Sequence, residues 1–262
     1  MRKLTLLIAA ILCLTSTPSW VDDAAAQNTS QNVAQNDGDQ KTVLAILGDV
    51  WHRPAFLDRH LVGPLRDEGW MADVIMDYDV PWDDFENYDL IILSRYGQED
   101  FDYYRYRDRN PDAERKTWMT LEQSMLFVEY VESGGSILLY HDGFGSTPCE
   151  FGTVLLARSC FISHPERIEI TVSTLDGMPE ITEGVADSFV VRDEEYVVEM
   201  DESETNVFLE SHSPEHGRSP QGWAHTFGDG KVVVLIPGHF MDTIEHPMIN
   251  RLIQNSLDWL NE

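Results

Sequence analysis

Lysine is nearly missing from this chain. Only Lys3, Lys41, Lys116 and Lys231 occur in 262 residues, and with arginine the basic residues reach 18 against 46 Asp and Glu, a formal net charge of −28. Phosphate backbones are gripped by clustered Lys and Arg, so this deficit argues against nucleic acid as a partner, and equally against docking on anionic lipid. Long apolar runs are lacking too. The longest, Leu4 to Leu14, spans 11 residues, where a transmembrane helix needs about 20. The catalytic signatures that stand alone are absent: there is no GxGxxG after the first strand, no P-loop, no HExxH, no GxSxG and no CxxC. These absences speak against dinucleotide binding, phosphoryl transfer and motif-based zinc hydrolysis, so no nucleotide cofactor is expected.

What the chain does have is core material, with 42% hydrophobic residues and seven Trp, too much for a disordered chain. Its first stretch reads as a processing signal. Arg2 and Lys3 form a positive n-region, Leu4 to Leu14 an apolar h-region, and Ala24-Ala25-Ala26 the small residues that a signal peptidase requires. Residues 1–26 are therefore expected to be a signal peptide, and the protein to be exported to a periplasm or secreted. Residues 27–40 (QNTSQNVAQNDGDQ) are almost wholly polar and read as a disordered linker. Residues 41–262 then form a single α/β domain. Removing residues 1–26 takes away Arg2 and Lys3 together with Asp22 and Asp23, so the exported part keeps a net charge of −28. Most of that charge reads as a solvated surface suited to external salt. Cys149 and Cys160, the cysteines that remain, could pair in an oxidising compartment or stay free.

From Thr42 onward, short apolar runs alternate with helical periodicity. Val43–Leu47 and Ser136–Tyr140 read as strands buried on both faces, and Ala72–Met76 and Leu90–Leu93 as two further strands. Between the first two, Phe56, Leu57, His60, Leu61 and Leu65 mark one side of a helix that Pro64 should divide. Thr120-Leu121-Glu122-Gln123 is a capping box opening a helix that Gly134-Gly135 stops. Further strands are expected at 168–172, 189–191, 206–209, 223–227 and 231–236, and a last helix starts at His246-Pro247. This order predicts a doubly wound, mostly parallel sheet of flavodoxin-like type flanked by helices. In such sheets ligands bind beyond the carboxyl ends of the strands, which singles out Asp49, Trp51 and His52, then Ser94 to Gly97, then His141 and Asp142. An insertion between Tyr96 and Thr117 mixes Phe101, Tyr103, Tyr104 and Tyr106 with arginines. It is either a lid over those strand ends or a surface excursion.

The candidate chemistry is dispersed over these ends. His141, directly after the fourth strand, can serve as a general base or metal ligand, with Asp142 setting its tautomer. In extended backbone Asp193 and Glu195 face one way, and Glu194 and Tyr196 the other, so the latter two could enter a pocket together. His239 follows Gly238 at the end of the last strand, and Trp223 is either core or a ligand platform.

These features, in this order, resemble the trehalose-utilisation (ThuA-like) family. The resemblance is carried by the opening strand leading to His52, by ESGGSILLYHDGFG (132–145), by ITEGVADSFVVRDEEY (181–196) and by the Pro220 to Trp223 step. GDGKVVVLIPGH (228–239) and the terminal helix ending in Asp258-Trp259 complete it. It implies the fold of the class I glutamine amidotransferases and a pocket built from His52, His141, Asp193, Glu194, Tyr196, Trp223 and His239. It also implies a negative: where amidotransferases carry a nucleophilic cysteine on the strand-to-helix elbow, this chain carries His141. Thiolate-based amide hydrolysis is therefore not expected.

The expected function is thus that of an exported carbohydrate-utilisation protein acting on a disaccharide, glycoside or keto-sugar derivative. His141, His239, Asp193 and Glu194 would supply acid/base groups, and His52, Asp142, Tyr196 and Trp223 would bind the small carbohydrate ligand. A divalent metal shared by His141, His239 and a carboxylate is one version of this chemistry. The competing reading is a sugar-binding or assembly module with no turnover.

Overall fold

Val43–Leu47 are all fully buried, and their side chains alternate between two cores. Val43, Ala45 and Leu47 enter one, and Leu44 and Ile46 the other, as the two-residue period of a strand requires. The computed structural model describes residues 40–49, 51–76, 78–96, 118–145, 160–163 and 168–262. The expected signal peptide, the expected linker up to residue 39 and the 97–117 segment lie outside those residues, as does the pairing of Cys149 with Cys160.

The parallel part of the sheet consists of β1 (Thr42–Leu47), β2 (Met71–Ile75), β3 (Leu90–Ser94), β4 (Ser136–Tyr140) and the late strand β11 (Gly230–Leu235). The chain also forms β5 (Cys160–Ser163), β6 (Ile168–Thr174), β7 (Ser188–Asp193), β8 (Val197–Glu199), β9 (Asn206–Ser213) and β10 (Gly217–Phe227). One nine-stranded sheet runs in the order β2-β1-β3-β4-β11-β10-β9-β6-β7, and β5 pairs with β8 separately.

The expected mostly parallel, doubly wound sheet is corrected to a mixed one. Every pairing from β2 through β11 is parallel, and every pairing from β11 to β7 is antiparallel. The connections give the reason. From β9 to β10 and from β10 to β11 the chain turns back within two or three residues, as at Gly228-Asp229. Antiparallel neighbours accept such hairpins, whereas parallel ones need a crossover of a dozen residues or more.

Helices cover both faces of the parallel part. On the odd-residue side lies a helix in three parts, α1 (Pro54–Leu57), a π-helical stretch (Asp58–Val62) and α2 (Gly63–Asp67). Pro64 lacks an N–H and cannot continue the ordinary ladder, and the change of register falls just before it. The C-terminal helix α7 (Pro247–Asn261) packs on the same side through Ile249, Leu252, Ile253 and Leu257. On the even-residue side lies α3 (Leu121–Glu132), whose Phe127, Val128 and Val131 are buried. Its capping box forms as expected: Thr120 Oγ1 accepts from Gln123 N at 3.1 Å, and Gln123 Oε1 accepts from Thr120 N at 2.8 Å. Three short helices, α4 (Asp142–Gly145), α5 (Pro179–Thr182) and α6 (Met241–Ile244), and two 3-10 turns, Phe85–Asn87 and Glu202–Glu204, complete the described elements. Among the described residues no helix is long and apolar enough to cross a membrane.

Candidate active site

Four strands deliver the polar residues that succeed them to one place. Beyond β1, Gly48 turns the chain at a positive φ of 81° and Asp49 begins a tight loop. The Asp49 carboxylate accepts from the backbone N–H of Trp51 (2.7 Å), His52 (3.0 Å) and, across from the end of β3, Tyr96 (2.7 Å). One carboxylate thereby fixes the loop that carries His52.

Beyond β4 comes a sharp strand-to-helix elbow. His141 has φ of +46° and is the one non-glycine residue with positive φ among the described residues. Such a conformation is uncommon for any residue but glycine, and costs on the order of 1–3 kcal/mol. Gly143 lets the chain turn so tightly, because a Cβ at that position would lie 1.9 Å from the carbonyl oxygen of Leu93. The elbow is the kind that presents a nucleophile in other α/β enzymes, and here it presents an imidazole.

Beyond β11, Gly238 passes so close to Tyr140 that a Cβ there would meet its hydroxyl at 1.9 Å. His239 is the next residue. Its placement depends on β7, at the far edge of the sheet. The terminal Asp193 of that strand accepts from the backbone N–H of Gly238 (2.6 Å), His239 (3.1 Å) and Phe240 (3.3 Å).

The three imidazoles meet. His52 Nε2 and His141 Nε2 lie 2.9 and 3.2 Å from His239 Nδ1. Glu194 Oε2 stands 3.3 Å from that same His239 atom and 3.5 Å from His141 Nε2. Behind the rings, His52 Nδ1 is 2.8 Å from oxygens of both Asp49 and Asp142, and His141 Nδ1 is 2.8 Å from the Ile236 carbonyl. Tyr196 donates its hydroxyl to Asp142. All of these side chains are nearly or fully buried except His239, which is 17% exposed and is the accessible ring of the cluster.

The electrostatics reflect that arrangement. Burial works against charge on His52, but its bonds to Asp142 and Asp49 outweigh it and raise its pKa to about 10. His141 is likewise raised: burial opposes the charge, and Asp142 and Glu194 overcome it. The same contacts reverse the effect of burial on the acids. Asp142 is held far below the usual carboxylate range by His141, His52 and Tyr196, and Glu194 is held at about 2 by His141 and His239. Asp193 behaves differently, because burial dominates and lifts it to about 6. Burial also pushes the Tyr196 phenol well above its ordinary value. Perturbed groups packed this densely are characteristic of working sites.

Seven of the eight residues singled out in the sequence are within this network. His52, His141, His239, Asp142 and Glu194 form its centre, with Tyr196 and Asp193 holding it in place. Trp223 is elsewhere: it is fully buried in the even-side core and offers no open face to a ligand. The alternation expected for 193–196 is observed, since Glu194 and Tyr196 reach the cluster while Glu195 accepts from Ser211 at 2.9 Å. The sequence marks Asp49 only as a strand-end residue, and the signal for its role is its spacing of three residues before His52. Donor atoms in three sets, His52/His141/His239, Asp49/His52/Asp142 and His141/Asp142/Glu194, lie within 4.8 Å of one another and could hold a metal.

Residues 73–260 match the ThuA family, described as trehalose utilisation. The chain belongs to the ThuA family. Its fold agrees with solved ThuA-like structures. A thua-like protein from Bacteroides uniformis ATCC 8492 superposes with a TM-score of 0.60 at 16% identity, covering 89% of this chain and 95% of the other. One from Parabacteroides merdae ATCC 43184 gives 0.61 at 16%, covering 84% and 90%. A β-galactosidase from Rahnella sp. R3 gives 0.55 at 12% identity, covering 84% of this chain and 31% of that one. No curated protein sequence matches this ThuA protein.

Proposed function

We propose that this ThuA protein is an exported carbohydrate-utilisation enzyme acting on a disaccharide, glycoside or keto-sugar derivative by acid/base chemistry. Residues 1–26 direct export, residues 27–40 tether, and the domain from residue 41 carries the site. The observation that carries this reading is His239: one partly exposed imidazole whose Nδ1 is in contact with His141 and Glu194, both buried and both shifted by their neighbours. A proton accepted at His239 can be shared with Glu194, and Asp142 stabilises the charge on His52 and His141, which is what a general acid or base needs from its surroundings. Hydrolysis, elimination and isomerisation of a sugar all begin with such a transfer. One residue before His52 stands Trp51, 57% exposed, an aromatic face of the kind on which sugar rings stack. Asp193 acts as a positioning residue, because it reaches His239 only through backbone.

A second reading has one observation in its favour. The fold makes up only 31% of the Rahnella β-galactosidase chain, so it also exists as part of a larger assembly, which suits a sugar-binding or assembly module. A screen of disaccharides, glycosides and their keto derivatives for products and thermal protection separates the two. The enzyme reading expects at least one compound to be converted, and loss of that conversion in His239→Ala. Thermal protection by sugars with no conversion of any compound would favour the module.

A further inference from the structure

The hydrogen bonds around the three imidazoles assign their ring protons. The Ile236 carbonyl can only accept, so His141 Nδ1, 2.8 Å away, carries hydrogen. His52 Nδ1 faces two carboxylates at 2.8 Å and is likewise a donor. In the neutral rings both lone pairs therefore fall on Nε2. Both point to one place, occupied on its other sides by His239 Nδ1 and Glu194 Oε2. A single proton on His239 Nδ1 can serve only one of these three acceptors well, whereas a cation among them serves all.

We propose that His52 Nε2, His141 Nε2, His239 Nδ1 and Glu194 Oε2 form a binding site for one divalent transition-metal ion of the zinc type. Asp49, Asp142 and the Ile236 carbonyl make up its outer shell. The spacing fits. With metal–nitrogen bonds of about 2.0–2.1 Å, neighbouring ligands stand about 2.9 Å apart at a right angle and about 3.3 Å apart in a tetrahedron. Separations of 2.9, 3.2 and 3.3 Å fall in that range, and the 3.5 Å between His141 Nε2 and Glu194 Oε2 lies just beyond it. The outer shell fits as well, since ligating histidines characteristically donate their other N–H to a carboxylate or backbone carbonyl. The alternative set Asp49/His52/Asp142 is excluded by the same assignment, because it would need the His52 nitrogen already engaged as a donor. Three imidazoles and one carboxylate suit zinc, iron, nickel or copper rather than magnesium or calcium, which take oxygen ligands. The ligands come from four strand ends far apart in the chain, so no short motif announces them.

This inference rests on reading the pocket as the active site; a metal there would polarise a sugar oxygen or a water, with His239 Nδ1 as its ligand in place of a proton acceptor. Its test is nevertheless independent of turnover. The chain, stripped with chelator, is titrated with Co2+ alone, followed by its visible absorption and by calorimetry. One equivalent is expected to bind, displaceable by Zn2+. His239→Ala, at a partly exposed ring, and Glu194→Gln should each weaken binding by about tenfold or more, and the outer-shell Asp49→Asn by about 10- to 100-fold. Failure of the wild type to form a 1:1 complex would overturn the site, as would unchanged affinity in both His239→Ala and Glu194→Gln. Sugar binding is measured separately on the stripped protein. Sugar binding without Co2+ binding removes the metal and keeps the acid/base reading, and Co2+ binding with no sugar interaction does the reverse.

Discussion

The carboxylate of Asp193 receives the backbone N–H groups of Gly238, His239 and Phe240 in succession. The end of β7 thereby aims an imidazole that comes after β11, although the two strands stand well apart in the sheet. This contact couples the antiparallel half of the molecule to the site carried by the parallel half.

Breaking that contact should disturb both halves. Asp193→Ala leaves three backbone donors without their acceptor in a dry interior, so a loss of about 3–5 kcal/mol is expected. Chemical denaturation measures it. A loss below about 1 kcal/mol would mean that the turn at 238–240 is held by something else.

Tyr196→Phe tests the outer support of the cluster. The substitution keeps the ring in its core position and removes only the hydroxyl that donates to Asp142. The expected cost is about 1–2 kcal/mol, read by thermal or urea unfolding, together with weakened binding of whatever the cluster holds.

The elbow makes a sharper prediction. Gly143→Ala drives a methyl group into the Leu93 carbonyl, and β3 and β4 are neighbouring strands whose backbones have little room to move. Destabilisation of about 2–4 kcal/mol is expected. His141→Asn keeps a residue that tolerates a positive φ, but it removes a fully buried ring and its bond to the Ile236 carbonyl, so a loss of about 1–3 kcal/mol is expected together with loss of the base. Equal melting temperatures for Gly143→Ala and wild type would contradict the packing described.

Thr120→Ala serves as the reference for effects remote from the site. Removing the cap of α3 is expected to cost about 0.5–2 kcal/mol and to leave substrate turnover unchanged. A drop in kcat/KM in this variant would tie α3 to the chemistry.

The parallel core and the strand ends that carry function were legible because unbroken apolar runs such as Val43–Leu47 and Ser136–Tyr140 can only be central strands. His141 and His239 stood out because each comes at the end of such a run. The sense of the second half was not legible. The strands from Ile168 onward show the same apolar pattern whichever way they run, and their direction is set by turn length and by the long-range pairing of β6 with β9. Trp223 illustrates a different failure. A Trp near a pocket and a Trp within a core look alike in sequence, and only burial separates them. The role of Asp49 was hidden because its three backbone contacts depend on a loop closing back against β3.

The most direct test of the active-site assignment is kcat/KM of His239→Ala against wild type, on the best-converted compound from the carbohydrate screen, with melting temperatures measured in parallel. Loss of an acid/base group that handles the transferred proton should lower kcat/KM by about 10²- to 10⁴-fold while the melting temperature stays within a few degrees. A kcat/KM within about threefold of wild type would contradict the assignment of this pocket as the active site.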